Sequence, residues 1–159
     1  MDKLLTQLKT LGLTVSTIES FTGGLLADAF VSQPGASEVF RQGLVLYQIK
    51  AKAAWLDIDE STLEKINLVS KALIEALLSR GVSLGLGQLI IATTGNAGPT
   101  VQAHSKVGQA WIGITDGQHT MIENFQFQGH RHSIRQAGVQ ASLTLLESFL
   151  STYYQREGE

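Results

Sequence analysis

The sequence predicts an α/β fold: a three-layer α/β/α sandwich around a mixed, mostly parallel sheet with one antiparallel hairpin. Three observations predict it. Apolar runs of strand character alternate with stretches of helical periodicity along most of the chain. Gln88-Leu89-Ile90-Ile91-Ala92-Thr93-Thr94 is nearly continuous in apolar residues, as in a strand covered on both faces. Asp116-Gly117, set between the strand Val107 to Thr115 and the segment Gln118 to Phe127, suits a type I′ hairpin turn.

In chain order, Leu4, Leu5, Leu8 and Leu11 recur at helical spacing, and Gly12 ends that helix. Leu13 to Ile18 reads as the first strand. Thr22 is the expected N-cap of a second helix burying Leu25, Leu26, Ala29 and Phe30. Pro34 and Gly35 break that helix. Gly43 to Tyr47 reads as a second, buried strand, followed by a short helix over Lys50 to Leu56. A connector (Asp57 to Asp59) and a turn or two over Glu60 to Ile66 come next. Ser70 caps a helix that buries Leu73, Ile74, Leu77 and Leu78 and is expected to end near Gly81. The apolar strand at Leu89 runs into a small-residue loop, Thr94 to Pro99. After Gly129 a long helix carries Ile134, Gly138, Ala141, Ser142, Leu145, Leu146, Phe149 and Tyr153 on one face.

Length and composition narrow the function classes. At 159 residues the expectation is one domain, 1–159, large enough for a proper core. Charged residues make up 16% and the net charge is −2, so nothing favours nucleic acid or an anionic membrane as partner. No cysteine is present, which excludes disulfides and thiolate chemistry and fits a cytoplasmic protein. The N-terminus has no signal-peptide pattern, and no apolar run reaches membrane-spanning length. Neither a GxxxxGK[ST] loop nor a GxGxxG fingerprint occurs, so nucleotide hydrolysis and dinucleotide binding lack their usual support.

Chemistry concentrates where predicted strands end, because open α/β sheets gather ligands at the carboxyl ends of their strands. Three segments qualify: Ser20 to Gly24, Tyr47 to Lys52, and Thr94 to Pro99. The first joins a strand to a helix start, where free N–H groups and the helix dipole suit an anion. Gly23 and Gly24 permit close approach there, and Ser20 and Thr22 supply hydroxyls. Ser20 reads either as a nucleophile or as a helix-start cap. No Ser-His-Asp set can be assembled, since His104, His119, His130 and His132 fall in loops or strand ends without carboxylate partners. A Ser–Lys pair is the remaining option, with Lys50 or Lys52 as base or merely on a solvated face. Tyr47 is a candidate proton donor or a core tyrosine, and Glu19 is either functional or a tie between loops. His130-x-His132 has no third ligand, so no metal is expected. Arg131 and Arg135, one turn apart, could hold a phosphate or carboxylate, or sit on the surface.

Taken together, these segments resemble the C-terminal domain of the competence/damage-inducible protein CinA, a family whose stand-alone members are nicotinamide-nucleotide amidases. The A-E-S-x-T-G-G-like turn is Ile18-Glu19-Ser20-Phe21-Thr22-Gly23-Gly24, and the P-G-S/A-S turn with a following Phe is Pro34 to Ser37 and Phe40. Y-x-N-x-x-K-x-x-x-L-G-V corresponds to Tyr47, Ile49, Lys52, Leu56, Asp57 and Ile58. V-S is Val69-Ser70, T-G-x-A-G-P is Thr94 to Pro99, and V-G is Val107-Gly108. F-x-G-x-R-x-x-I-R closes the set at Phe127, Gly129, Arg131, Ile134 and Arg135. The match spans essentially the whole chain in order.

The resemblance implies deamidation of nicotinamide mononucleotide to nicotinate mononucleotide and ammonia, in pyridine-nucleotide salvage, with no metal or cofactor and in a homo-oligomer. It implies Ser20 as nucleophile, Lys52 as its base and Tyr47 as an assisting proton donor. Glu19, Thr22, Gly23 and Gly24 would surround an oxyanion or the phosphate. Thr94, Gly95, Ala97 and Gly98 would complete the substrate pocket, with Arg131 and Arg135 beside it. The sequence departs from the pattern at Ile49 (family Asn), at Asp57 (family Gly), and in the loop Thr100 to Lys106, which lacks the glycine-rich run and the Pro before V-G. A family member that binds a nucleotide or protein partner without turnover is the alternative these departures suggest. Activity belonging to the N-terminal domain of full-length CinA is not expected of these residues.

Overall fold

The strands β1 (Val15–Glu19), β2 (Phe40–Val45), β3 (Leu89–Gly95), β4 (Gln109–Thr115) and β5 (Thr120–Gln126) form one sheet in the order β2-β1-β3-β4-β5. The computed structural model describes residues 1–101 and 104–154. Strand β1 runs parallel to both β2 and β3, whereas β4 is antiparallel to β3 and to β5. Helices α1 (Asp2–Leu11), α2 (Leu25–Val31) and α6 (Arg131–Tyr153) cover one face. Helices α3 (Ile49–Leu56), α4 (Glu60–Glu64) and α5 (Lys71–Ser83) cover the other.

The three layers follow from strand alternation. Successive side chains of β3 point to opposite faces, so Leu89 and Ile91 join Leu8, Phe30 and Phe149, while Ile90 and Ala92 join Leu73, Ile74 and Leu77. A strand feeding two cores must be apolar at every position, and β3 is buried through Thr94. Each fully buried Leu, Ile or Phe contributes about 1.5–3 kcal/mol, so both cores stabilise the sheet substantially.

Several local expectations change. Strand β2 spans 40–45 and not 43–47, and it is an edge strand. Because it pairs only with β1, its burial alternates instead of being complete, and Val45 is exposed. Tyr47 therefore lies beyond the strand. Thr22 is not the N-cap of α2: that position is Gly24, at φ 95°. The central helix α5 passes through Gly81 to Ser83, because Gly81 serves close packing and not termination. A Cβ there would stand 3.0 Å from Ile90 Cδ1. The hairpin turn is not type I′, which needs two residues of positive φ, since only Gly117 has one. Asp116 Oδ1 instead accepts from the Gln118 and His119 amides. His119 also has the carboxylate partner not expected for it, its Nδ1 lying 3.0 Å from Asp116 Oδ2.

Connectivity fixes where the site can be. From β1 the chain crosses through α2 to β2 on one side, then returns over the opposite face through α3, α4 and α5 to β3 on the other side. The carboxyl ends of β1 and β3 thus diverge into a crevice at the point where strand order reverses. Phe21, just after β1, locks that end in place. A Cβ on Gly95 of β3 would lie 2.9 Å from the Phe21 ring, and one on Gly138 of α6 only 2.4 Å from it. Both positions must be glycine for the aromatic wedge to fit.

Candidate active site

A cavity of about 340 Å³ opens at this crevice. Its lining includes Ser20 and Phe21 after β1, then Tyr47, Ile49 and Lys52 beyond β2. Leu68 and Val69 before α5, the loop Thr94 to Thr100 after β3, and Arg131 at the start of α6 complete the wall. The three segments singled out from strand ends therefore meet at one place.

The turn that carries Ser20 is built on Glu19. This side chain is 1% exposed, and its carboxylate accepts the N–H groups of Gly24 and Leu26 on Oε2 (both 3.0 Å) and of Ala27 on Oε1 (2.8 Å). The Thr17 hydroxyl donates to the same Oε1 at 3.2 Å. An anion at a helix start is favourable for the reasons that suggested a ligand site, but here the chain supplies its own. The Gly23 amide donates to the Ser20 carbonyl and the Leu25 amide to the Thr22 carbonyl, so the amides from Gly23 to Ala27 are all engaged. The start of α2 is closed to an outside anion. Glu19, Thr22, Gly23 and Gly24 are not among the residues lining the cavity.

Arg135 reinforces the turn from α6. Its Nε donates to the Phe21 carbonyl at 2.9 Å and its Nη2 to the Thr22 carbonyl at 3.0 Å. It too stands behind the cavity wall, holding backbone. Thr93, which sequence reasoning passed over, does the same from β3: its Oγ1 accepts from the Ser20 amide and shares a hydrogen bond with Thr22 Oγ1. Asn96, likewise missed, shapes the second loop. Its side-chain oxygen accepts the Gly98 amide, its carbonyl accepts the Gly108 amide, and its own amide donates to the Gln109 carbonyl. The signal for both was a polar residue at the end of an apolar strand, where burial obliges it to find a partner.

Lys52 is the chemically unusual group. It sits on α3, is 3% exposed, and donates from Nζ to the Leu46 carbonyl at 2.7 Å and the Tyr47 carbonyl at 3.0 Å. Among the described residues no carboxylate pairs with it, and burial penalises the ammonium form and lowers its pKa to about 8. Lys50, the other candidate base, is exposed. An amine near pKa 8 is in part neutral at physiological pH and can accept a proton there. Ser20, 9% exposed, shares the cavity with it.

Tyr47 is half exposed at the mouth, where its hydroxyl accepts a hydrogen bond from Arg131 Nη2. Arg131 Nη1 also donates to the Gly98 carbonyl at 2.6 Å. Thr94 donates from Oγ1 to the Leu68 carbonyl and so ties β3 to the segment before α5. Ile49 presents an apolar wall beside Tyr47 and Lys52. Of the departures from the family pattern, Asp57 takes the left-handed conformation (φ 59°) that its glycine counterpart would adopt freely. Gln102 and Ala103 of the altered loop lie outside the described residues. Among the described residues no group of three or more potential metal ligands occurs, His130 and His132 included. No helix there is long and apolar enough to cross a membrane.

Residues 1–150 match the family model described as the CinA C-terminal domain. A competence-damage inducible protein of Caldicellulosiruptor saccharolyticus is 35% identical over 143 residues, covering 89% of this chain and 35% of the relative. Its namesake in Oceanobacillus iheyensis is 33% identical over 155 residues, covering 95% and 36%. The chain thus spans about a third of the length of these curated relatives. Among solved structures, a CinA superfamily protein from Klebsiella pneumoniae superposes with a TM-score of 0.88 over 95% of each chain; at 24% identity it shows the fold alone. A competence or damage-inducible protein from Enterobacter asburiae superposes with a TM-score of 0.85 at 28% identity, over 92% of this chain and 94% of that one.

Proposed function

The chain belongs to the CinA C-terminal domain family, and from that premise we propose that it is a cytoplasmic amidohydrolase converting nicotinamide mononucleotide and water to nicotinate mononucleotide and ammonia. The observation that carries this reading is a serine and a desolvated lysine on one cavity at the strand ends, with the lysine held near pKa 8. Amide hydrolysis needs an activated nucleophile and a proton for the leaving nitrogen, and Ser20, Lys52 and Tyr47 supply both.

In this mechanism the neutral Lys52 amine takes the Ser20 hydroxyl proton as Oγ adds to the amide carbonyl. The carbon–nitrogen bond then breaks as Tyr47 gives its proton to the nitrogen, and ammonia departs, leaving an ester on Ser20. The Lys52 ammonium returns a proton to Tyr47. Water adds to the ester, giving a proton to Lys52, which passes it to Ser20 Oγ as the acid leaves. Every proton taken is returned, and no metal enters any step.

Ammonia release from nicotinamide mononucleotide by purified protein tests the reading. Turnover is expected, with a fall of about three orders of magnitude or more in Ser20→Ala; wild-type rates in that variant exclude Ser20 as nucleophile. The apolar wall at Ile49 favours a second reading, in which the cavity binds a nucleotide without turnover. Thermal stabilisation by the mononucleotide with no ammonia released would select it.

A further inference from the structure

Arg131 spans the mouth of the cavity. One nitrogen holds the Gly98 carbonyl on the loop after β3, and another holds the Tyr47 hydroxyl beyond the end of β2. A guanidinium only donates, so the phenol oxygen is the acceptor in that bond. No carboxylate pairs with Arg131 among the described residues. The other places for an anion are already filled. Glu19 occupies the start of α2, Arg135 is engaged with the Phe21 and Thr22 carbonyls, and Lys52 is buried against the Leu46 and Tyr47 carbonyls. Among the described residues Arg131 is thus the exposed cation lining the cavity, and its second partner is a phenol hydroxyl.

We propose that Arg131 reads the phosphate of the substrate and, in moving onto it, releases Tyr47 for proton donation. The proposal rests on the amidase reading. A phosphate dianion accepts far more strongly than a phenol and matches the planar donor fork of arginine, so it displaces the Tyr47 contact. Tyr47 is half exposed, and its hydroxyl is held here by Arg131, so the ring is free to turn once that bond is given up. Binding energy from a group remote from the amide then appears in the chemical step and not in affinity alone. Arg131 acts on the reaction through Tyr47, as a positioning and specificity-determining residue.

The experiment compares nicotinamide mononucleotide with nicotinamide riboside, which carries the same amide without phosphate, in the presence and absence of phosphite. In the wild type, kcat on the riboside is expected to be about tenfold to a hundredfold lower, and phosphite to raise it. In Arg131→Gln the two substrates converge in kcat and phosphite no longer activates, whereas Arg131→Lys retains part of the activation. Tyr47→Phe is slow on both substrates and unresponsive to phosphite. Equal kcat on both substrates with only KM differing, or phosphite activation surviving in Arg131→Gln, overturns the proposal and leaves the amidase reading standing. Absence of ammonia from the mononucleotide overturns both.

Discussion

The two ends of the sheet treat buried charge in opposite ways. At the hairpin end, Asp116 accepts from the His119 ring, from the His119 and Gln118 amides, and from the Tyr154 hydroxyl. Burial alone would raise its pKa, but these bonds outweigh it and hold the carboxyl at about 2. Burial and the Asp116 charge in turn push the Tyr154 phenol up to about 12. At the cavity end, Lys52 is buried with carbonyl acceptors and, among the described residues, no carboxylate, and desolvation pulls its pKa down to about 8. Compensated charge fastens the end of α6 to the hairpin, whereas uncompensated charge leaves a base near neutrality. Structure is secured at one end, and at the other an amine near neutrality lines the cavity.

The largest expected effect is on Lys52. Lys52→Met should lower turnover by about three orders of magnitude in the ammonia assay. It should also alter how stability depends on pH. The folded-state pKa lies below the ordinary lysine value of 10.5, so the wild type carries a penalty below pH 8 that disappears as pH rises toward 10.5. Denaturation against pH should therefore show the wild type gaining about 3 kcal/mol relative to Lys52→Met across that window. A constant difference would mean that the lysine is not desolvated.

Glu19→Ala probes the cavity side. It strands three helix-start amides and is expected to cost about 3 kcal/mol in chemical denaturation. A change below about 0.5 kcal/mol would show that α2 does not depend on this carboxylate. At the far end, Asp116→Asn should cost about 1 kcal/mol at neutral pH, solvent screening part of the charge, while leaving turnover unchanged. The native pKa is depressed, so the gap between variant and wild type should persist above about pH 4 and close as pH falls toward 2. Loss of turnover in that variant would break the division between the two ends. The smallest effect is expected at Asp57, where Asp57→Gly relieves a left-handed backbone and should stabilise by about 0.5–1 kcal/mol.

Which parts of this were readable beforehand follows from the range of each interaction. The alternation of β3 and the helical stripes are local, and they predicted the layers. The strand-end rule brought Ser20, Tyr47, Lys52 and the Thr94 loop to one place before any geometry was known. The resemblance then separated Lys52 from Lys50, which burial distinguishes and spacing cannot. The sequence offers Glu19 as a tie but not its partners, because its carboxylate reaches forward to the amides of Gly24, Leu26 and Ala27 around a tight turn, outside any capping spacing. Arg131 and Arg135 were equally opaque: their partners at Tyr47, Phe21 and Thr22 lie 84 to 114 residues away in sequence. Edge position misled for β2, since an apolar run does not say whether one neighbour or two will pair with it. The His119–Asp116 contact is local, three residues apart across a turn, and so lies within reach of sequence spacing.

Whether Lys52 is the base is read from the pH dependence of kcat/KM for nicotinamide mononucleotide. The rate is expected to climb with pH and level off around pH 8, as the uncompensated amine of Lys52 loses its proton. A rate that stays flat from pH 6 to about 9.5 in an active enzyme would rule Lys52 out as the base, because no base of that pKa would then take part in the reaction.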